Sequence, residues 1–268
     1  MASSDHPDTS RHGPPPLVFD EVRWVVQIRQ SLEEDAPGDD DDDTGIPVSV
    51  FNVPKPLQVH KPEAYTPQFI ALGPYHHWRP ELYEMERYKL ASARRAQKRL
   101  CAGLKLDGLV QQFARLERKI RAYYHRYLDF NGETLAWMMV VDGAFLLEFL
   151  QIYAVAIADD EGDGGRALRR VSSRMAHVVD FTGRKSAHNL ILRDMLMLEN
   201  QVPLFLLRRI LEPQCAYPGE AGELLPRMVT GLMKELCPFK MVDTFPAIEV
   251  TKNAHLLEVL YYLLVPKP

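Results

Sequence analysis

Leu135 to Ala158 reads LAWMMVVDGAFLLEFLQIYAVAIA, and two fold classes hang on it. It is long enough to cross a bilayer. Asp142 and Glu148, however, lie well inside it, and an acid at mid-span costs roughly 2.5 to 3.5 kcal/mol on insertion. The better reading is a helix from about Thr134 to Ala158, apolar nearly all round, at the centre of a bundle.

The neighbouring segments supply partners for such a helix. Beyond Pro80, Met85, Tyr88, Ala91, Ala96 and Leu100 recur at helical spacing, with Arg94, Arg95, Lys98 and Arg99 expected outward. Leu106, Leu109, Phe113, Leu116, Ile120, Tyr123 and Tyr127 then form a seam at alternating three and four residues. Further helices are expected over Ser186 to Asn200, Glu220 to Leu236 and Lys252 to Leu264, with a weakly patterned stretch from Arg166 to Arg184. Pro203 removes a donor and clashes with the preceding turn, so the chain must kink or restart before LFLLRRIL. Prolines at 47, 54, 56, 62, 67 and 74 forbid a long helix there and dictate an extended segment with turns. No stretch alternates as a half-buried strand does. The sequence therefore predicts an all-α fold, an irregular helical bundle wrapped by a proline-rich extended N-terminal segment.

Two parts are expected. Residues 1–45 comprise a polar start, Met1 to Pro16, expected to be disordered, a short amphipathic helix with Phe19, Val22, Val25, Val26 and Ile28 toward one side, and an acidic linker, DAPGDDDDDT. Residues 46–268 form the helical domain. Hydrophobic residues at 46% and charged residues at 25% sit at the globular average, which argues for a folded chain over most of the length. The formal net charge is −4, and without Asp39 to Asp43 the balance is close to zero, so no basic excess points to nucleic acid. Cys101, Cys215 and Cys237 are too few and scattered for a disulfide framework and have no zinc spacing, which makes a reducing compartment the default. The N-terminus lacks a signal-peptide core, Ala2 excludes myristoylation, and no Asn has Ser or Thr two residues on. The cytoplasmic side is the expected location.

The chemistry-bearing residues fall in two segments, FIALGPYHHWRPELYEMERYK from Phe69 to Lys89 and DMLMLENQVPLF from Asp194 to Phe205. Both set polar groups in apolar surroundings, where an unpaired group costs about 1 to 3 kcal/mol and needs a partner. His76 and His77, after a Gly73-Pro74 turn, could join Glu84 or Glu86 in a metal site, but the spacing fits no ligand motif. Asp142, Glu148, Asp194 and Glu199 could be raised-pKa acids or a carboxylate-metal cluster. Yet neither Glu148 nor Glu199 has His three residues on, as such bundles require. The simpler reading makes these acids partners of Lys89, Arg121 or His76. Asn200 and Gln201 carry amide donors that can fill the carbonyls freed by Pro203. No catalytic residue, metal ligand or cofactor site is assigned: no glycine-rich loop suggests phosphate binding, and no protease elbow surrounds a cysteine.

The order of these motifs resembles the plant family called domain of unknown function 247. It is carried by Ile46-Pro47, Tyr65-Thr66-Pro67, Ile70-Ala71-Leu72-Gly73-Pro74-Tyr75-His76, Met85-Glu86 with Lys89, Asp142-Gly143, Phe145-Leu146-Leu147-Glu148, and Asp194 with Leu198-Glu199-Asn200-Gln201-Val202-Pro203. The resemblance implies a plant protein with a helical domain, followed in longer members by a C-terminal membrane anchor; some grass members are linked to self-incompatibility. It brings no established catalytic residue. Longer members run past the equivalent of His255-Leu256-Leu257, so a chain shortened on its C-terminal side is expected. The expected function is a non-enzymatic interaction or recognition domain with an unidentified protein partner. Two alternatives stand beside it: a metal- or acid-dependent enzyme using His76, Glu86, Asp142 and Glu199, and a peripheral membrane protein held by the terminal LLEVLYYLLVP, too short to span.

Overall fold

In the computed structural model, residues 21–33, 48–101, 103–158, 186–237, 245 and 248–265 are described. The expectations for Met1 to Pro16, the acidic linker and Arg166 to Arg184 lie outside these residues. The chain divides into two units, Met1–Asp43 and Thr44–Pro268. The first contains helix α1 (Glu21–Glu33).

The second unit is all helix and connecting chain, with no strand among the described residues beyond one isolated bridge, Val50 to Tyr124. In order come α2 (Lys55–His60), α3 (Pro62–Tyr65), a 3-10 turn over Pro80–Met85, α4 (Glu86–Arg99), α5 (Leu106–Arg115), α6 (Glu117–Ala122) and α7 (Gly132–Ala158). Then follow α8 (Ser186–Met195), α9 (Leu204–Leu211), α10 (Glu220–Leu236) and α11 (Leu256–Leu264).

Helix α7 is the hub: α4, α5, α9 and α10 all pack on it. Among the described residues it is the one helix long and apolar enough to cross a membrane, and 83% of that stretch is buried inside the protein. Most of its apolar side chains are covered by other parts of the protein. Close approach is built into the sequence at two glycines. A Cβ on Gly143 would stand 2.4 Å from the Ile210 side chain of α9, and one on Gly231 of α10 would stand 2.4 Å from the Tyr153 carbonyl oxygen. Only a hydrogen at these positions lets the helices meet without displacement.

The wrapping segment, residues 48–75, is the strap. Its prolines permit only short turns: α2 and α3 each carry a proline at their first or second position, where no donor is needed. Beyond them the backbone is extended and passes through the interior, with Ile70, Ala71 and Leu72 all buried.

Four expectations are corrected. The seam from Leu106 to Tyr127 is two helices, because Leu116 leaves helical geometry (φ −92°, ψ 11°). Beyond that break Tyr123 is drawn to the strap, its carbonyl accepting from Ser49 and Val50. The helix expected to reach Asn200 ends at Met195, and Pro203 caps a new helix, so the break extends well upstream of the proline. Arg95, expected outward, is half-buried and turned to Glu148. The helix expected over Lys252 to Leu264 begins at Leu256, after a 3-10 turn over Val250–Lys252.

Candidate functional site

The motif residues converge on the strap. A buried extended segment in a protein without a sheet has no neighbouring strand to take its peptide N–H and C=O groups, and each unpaired one is costly. Here side chains take the part of that strand. Asp194, near the end of α8, accepts three consecutive backbone N–H groups on Oδ2: Gln68 at 3.0 Å, Phe69 at 2.6 Å and Ile70 at 3.0 Å. This is an anion held in a nest of amides, the anion being the protein's own carboxylate. Arg193 stands 3.6 Å from Asp194 Oδ1.

Asn200 takes the next positions. Its Oδ1 accepts from Leu72 N–H at 2.7 Å, and its Nδ2 donates to the carbonyls of Ile70 (3.0 Å) and Asp194 (2.9 Å). Gln201 Nε2 donates to the carbonyls of Met195 (2.8 Å) and Met197 (2.7 Å), and its Oε1 accepts from Leu257 N–H. Asn200 and Gln201 do use their amide donors on carbonyls, but those of Asp194, Met195 and Met197 lie well upstream of Pro203 and are not the ones the proline frees; Asn200 additionally binds the strap. The loop from Leu196 to Pro203 is thus folded on its own side chains.

Gly73 and Lys89 complete the seam. Gly73 adopts φ +71°, and a Cβ there would meet the Gln201 carbonyl oxygen at 2.6 Å, so glycine is required on both counts. Its N–H donates to Asp142 Oδ2 at 2.8 Å. Asp142 Oδ1 accepts from Lys89 Nζ at 2.6 Å, Lys89 also donates to the Ala71 carbonyl at 3.0 Å, and Glu86 is its third partner. An ammonium has three protons, and here each has an acceptor. Burial works to lower the Lys89 pKa, but the Asp142 and Glu86 carboxylates more than offset it, leaving it above its ordinary value. The charged form is the resident one.

His76 and Glu199 form the outer part. Nε2 of His76 lies 3.1 Å from Glu199 Oε2, at an angle outside hydrogen-bond geometry, so the contact is an ion pair when the imidazole is protonated. Glu199 Oε1 accepts from Val53 N–H at 2.7 Å and lies 3.4 Å from Gln58 Nε2. Burial pushes the Glu199 carboxyl up, but His76, the Val53 amide and Arg126 outweigh it and hold the pKa below the usual carboxylate range. Tyr75 spans two connections, its hydroxyl donating to the Val50 carbonyl at 3.0 Å and accepting from Arg126 N–H at 2.8 Å.

Glu148, fully buried on α7, is separate from this seam and pairs with Arg95 Nε at 2.8 Å. The partners offered by the sequence were Lys89, Arg121 and His76; Arg121 instead holds Glu117 and the carbonyls of Leu128 and Phe130. Two participants escaped the sequence reading. Arg95 stands on α4 beside the small buried residues Ser92, Ala93 and Ala96, a signal that this side of the helix faces inward. Tyr124 donates to the Gln201 carbonyl at 2.9 Å, a partner the sequence reading did not assign it.

Of the four residues of the enzyme alternative, Glu86 and Asp142 are joined through Lys89, while His76 and Glu199 form their own pair. Among the described residues no three His, Cys, Asp or Glu side chains gather as a metal group. What the arrangement does chemically is to saturate buried backbone.

A family model described as plant protein of unknown function, domain of unknown function 247, matches residues 50–268. A putative UPF0481 protein of Arabidopsis thaliana is 41% identical over 254 residues, covering 93% of this chain and 43% of that protein. A second Arabidopsis UPF0481 protein is 32% identical over 165 residues, covering 60% of this chain and 30% of its own length. The chain spans less than half the length of these curated relatives. No solved structure matches it.

Proposed function

The chain belongs to the plant family of unknown function just described, and on that premise we propose that it is a helical recognition module, acting through a protein partner held on its outer surface. The observation that carries this reading is the use made of the motif side chains. Asp142, Lys89, Asp194, Asn200, Gln201 and Glu199 direct their hydrogen bonds to this chain's own backbone and to one another. Groups so engaged hold a shape, and recognition is then left to what the shape presents.

The outer face supports it. Trp78, directly after the His76-His77 pair, is 60% exposed, and Tyr83 and Leu90 are exposed on the following turn and α4. Aromatic side chains of this kind are over-represented among binding hot spots. Recognition or signalling on the cytoplasmic side is the role proposed, with self-incompatibility the particular case implied by the family resemblance.

The test is affinity capture of the full chain from plant reproductive tissue, repeated with Trp78→Ala. A near-stoichiometric partner that competes off with untagged chain and is lost with Trp78→Ala is expected. A chelator-sensitive turnover, abolished by Glu199→Gln in a variant that still folds, would replace this reading with the enzyme alternative.

A further inference from the structure

The chain leaving α4 and the turn after α9 run side by side. Cys101 N–H donates to the Pro213 carbonyl at 2.9 Å, and Arg99 Nε donates to Gln214 Oε1 at 2.9 Å. Cys101 Sγ lies 4.0 Å from the Cys215 carbonyl oxygen, although 114 residues separate the two. Both cysteines line one cavity of about 450 Å³, together with Glu212, Tyr217 and Gly219. Neither is engaged in a disulfide; Cys101 is exposed and Cys215 half-buried.

The two thiols are not equivalent. Cys215 Sγ donates to the Leu211 carbonyl one turn back, at 3.3 Å. Burial, then Glu220 and Glu212, push its pKa up, so it rests as a thiol. Cys101 is the sulfur open to solvent. Closing a bond between the two sulfurs requires Cys215 to release the Leu211 carbonyl and turn about Cα–Cβ. A disulfide needs Cα atoms about 4.4 to 6.8 Å apart, a separation consistent with a sulfur 4.0 Å from the other residue's carbonyl.

We propose that Cys101 and Cys215 form a reversible redox site, Cys101 the sulfur oxidised by a hydroperoxide and Cys215 the resolving sulfur. In the first step the Cys101 thiolate attacks one peroxide oxygen, the O–O bond breaks, and the sulfur becomes a sulfenic acid while the other oxygen leaves as water or an alcohol. In the second, Cys215 attacks the sulfenic sulfur, the S–O bond breaks, and the Cys215 proton departs with the hydroxide as water. Two thiols lose two electrons in all and the peroxide gains them. The product ties the start of the α4–α5 connection to the turn after α9, across the mouth of the cavity. A dithiol reductant returns both thiols, as a reducing compartment requires.

The experiment treats the folded full chain with limiting hydrogen peroxide, then counts free thiols and maps peptides by mass spectrometry without reduction. The three thiols are expected to fall to one, with a Cys101–Cys215 cross-link lighter by two hydrogens that dithiothreitol reverses. Cys237→Ser should leave the cross-link unchanged. Cys215→Ser should leave a sulfenic acid at Cys101 that a cyclic 1,3-dione traps. A cross-link through Cys237, one between two copies of the chain, or persistence of all three thiols while peroxide is consumed would overturn the proposal. The same Cys101–Cys215 link formed no faster in folded than in urea-unfolded chain would also overturn it, since proximity in the fold is the claim.

Discussion

The strap is held at two places by different chemistry. Its rear stretch, Gln68 to Gly73, lies against Asp194, Asn200 and Asp142, with Lys89 enclosed beside it. Its front stretch, Ser49 to Gln58, is fastened by Glu199 with His76 and by His255, whose Nε2 reaches the Ser49 carbonyl at 3.1 Å. The rear uses amides and an ammonium, Lys89, whose pKa the Asp142 and Glu86 carboxylates hold above its ordinary value. The front includes the His255 imidazole, whose pKa burial lowers. The two ends of one continuous backbone segment therefore respond to pH in different ranges.

The largest effect is expected from removing the rear cation. Lys89→Met leaves Asp142 buried without its counter-charge, and breaking such a pair costs about 3 to 5 kcal/mol. Chemical denaturation of Lys89→Met and of the double variant with Asp142→Leu should show the double variant recovering part of that loss. A double variant no more stable than the single would contradict the account of Asp142 as an orphaned charge.

Next in size is the amide. Asn200→Leu strands Leu72 N–H and the Ile70 carbonyl, at about 1 to 3 kcal/mol for each buried group left unpaired. Hydrogen exchange should show protection lost first at Leu72, with residues 49 to 53 affected less. Uniform loss along the strap would mean that it opens as one unit and that the two ends are not distinct.

The pH dependence should separate the ends most clearly. Burial lowers the His255 pKa below its ordinary value, outweighing the Ser49 carbonyl and the Glu258 carboxylate, which raise it. Its contribution to stability is present above about pH 6.5, the unfolded value, and is lost as pH falls through the lower folded value. Glu199, also lowered, contributes above about pH 4.3 and loses that contribution further into acid. Lys89, raised, contributes below about pH 10.4 and loses it only as pH rises through its folded pKa. Melting temperature followed from pH 8 to 4 should thus fall in wild type, less steeply in His255→Gln, and with unaltered slope in Lys89→Met.

The smallest effect belongs to the surface. Arg79 and Glu81 make an exposed pair two residues apart, and Arg79→Ala should change stability by less than about 0.5 kcal/mol. A larger loss would show that the end of the strap leans on this arginine as well.

How far the site could be read in advance depended on the range of each interaction. Asn200 and Gln201 were legible as amides that fill carbonyls at a helix break, although the carbonyls they take, those of Asp194, Met195 and Met197, lie upstream of any that Pro203 frees. Asp194 was legible only as a buried acid, because its partners are N–H groups 124 to 126 residues distant and every residue but proline carries one. Arg95 was misplaced since its helical position borders both faces, and only the approach of α7 turns it inward. The break at Leu116 was hidden because Leu116 itself continues the apolar spacing; the hydrogen bonds that draw Tyr123 to the strap come from residues more than seventy positions earlier.

Residue order alone specifies the helical class, the central place of a helix from about Thr134 to Ala158, a kink or restart before Leu204 and the extended course of the strap. Each follows from local sterics or from a periodicity repeated within one segment. Which buried acid meets which partner, and the use of side chains in place of a neighbouring strand along the proline-rich segment, emerge from the folded chain. Backbone amides are chemically alike along the chain, so no pattern of residue types can mark which of them a distant carboxylate will find.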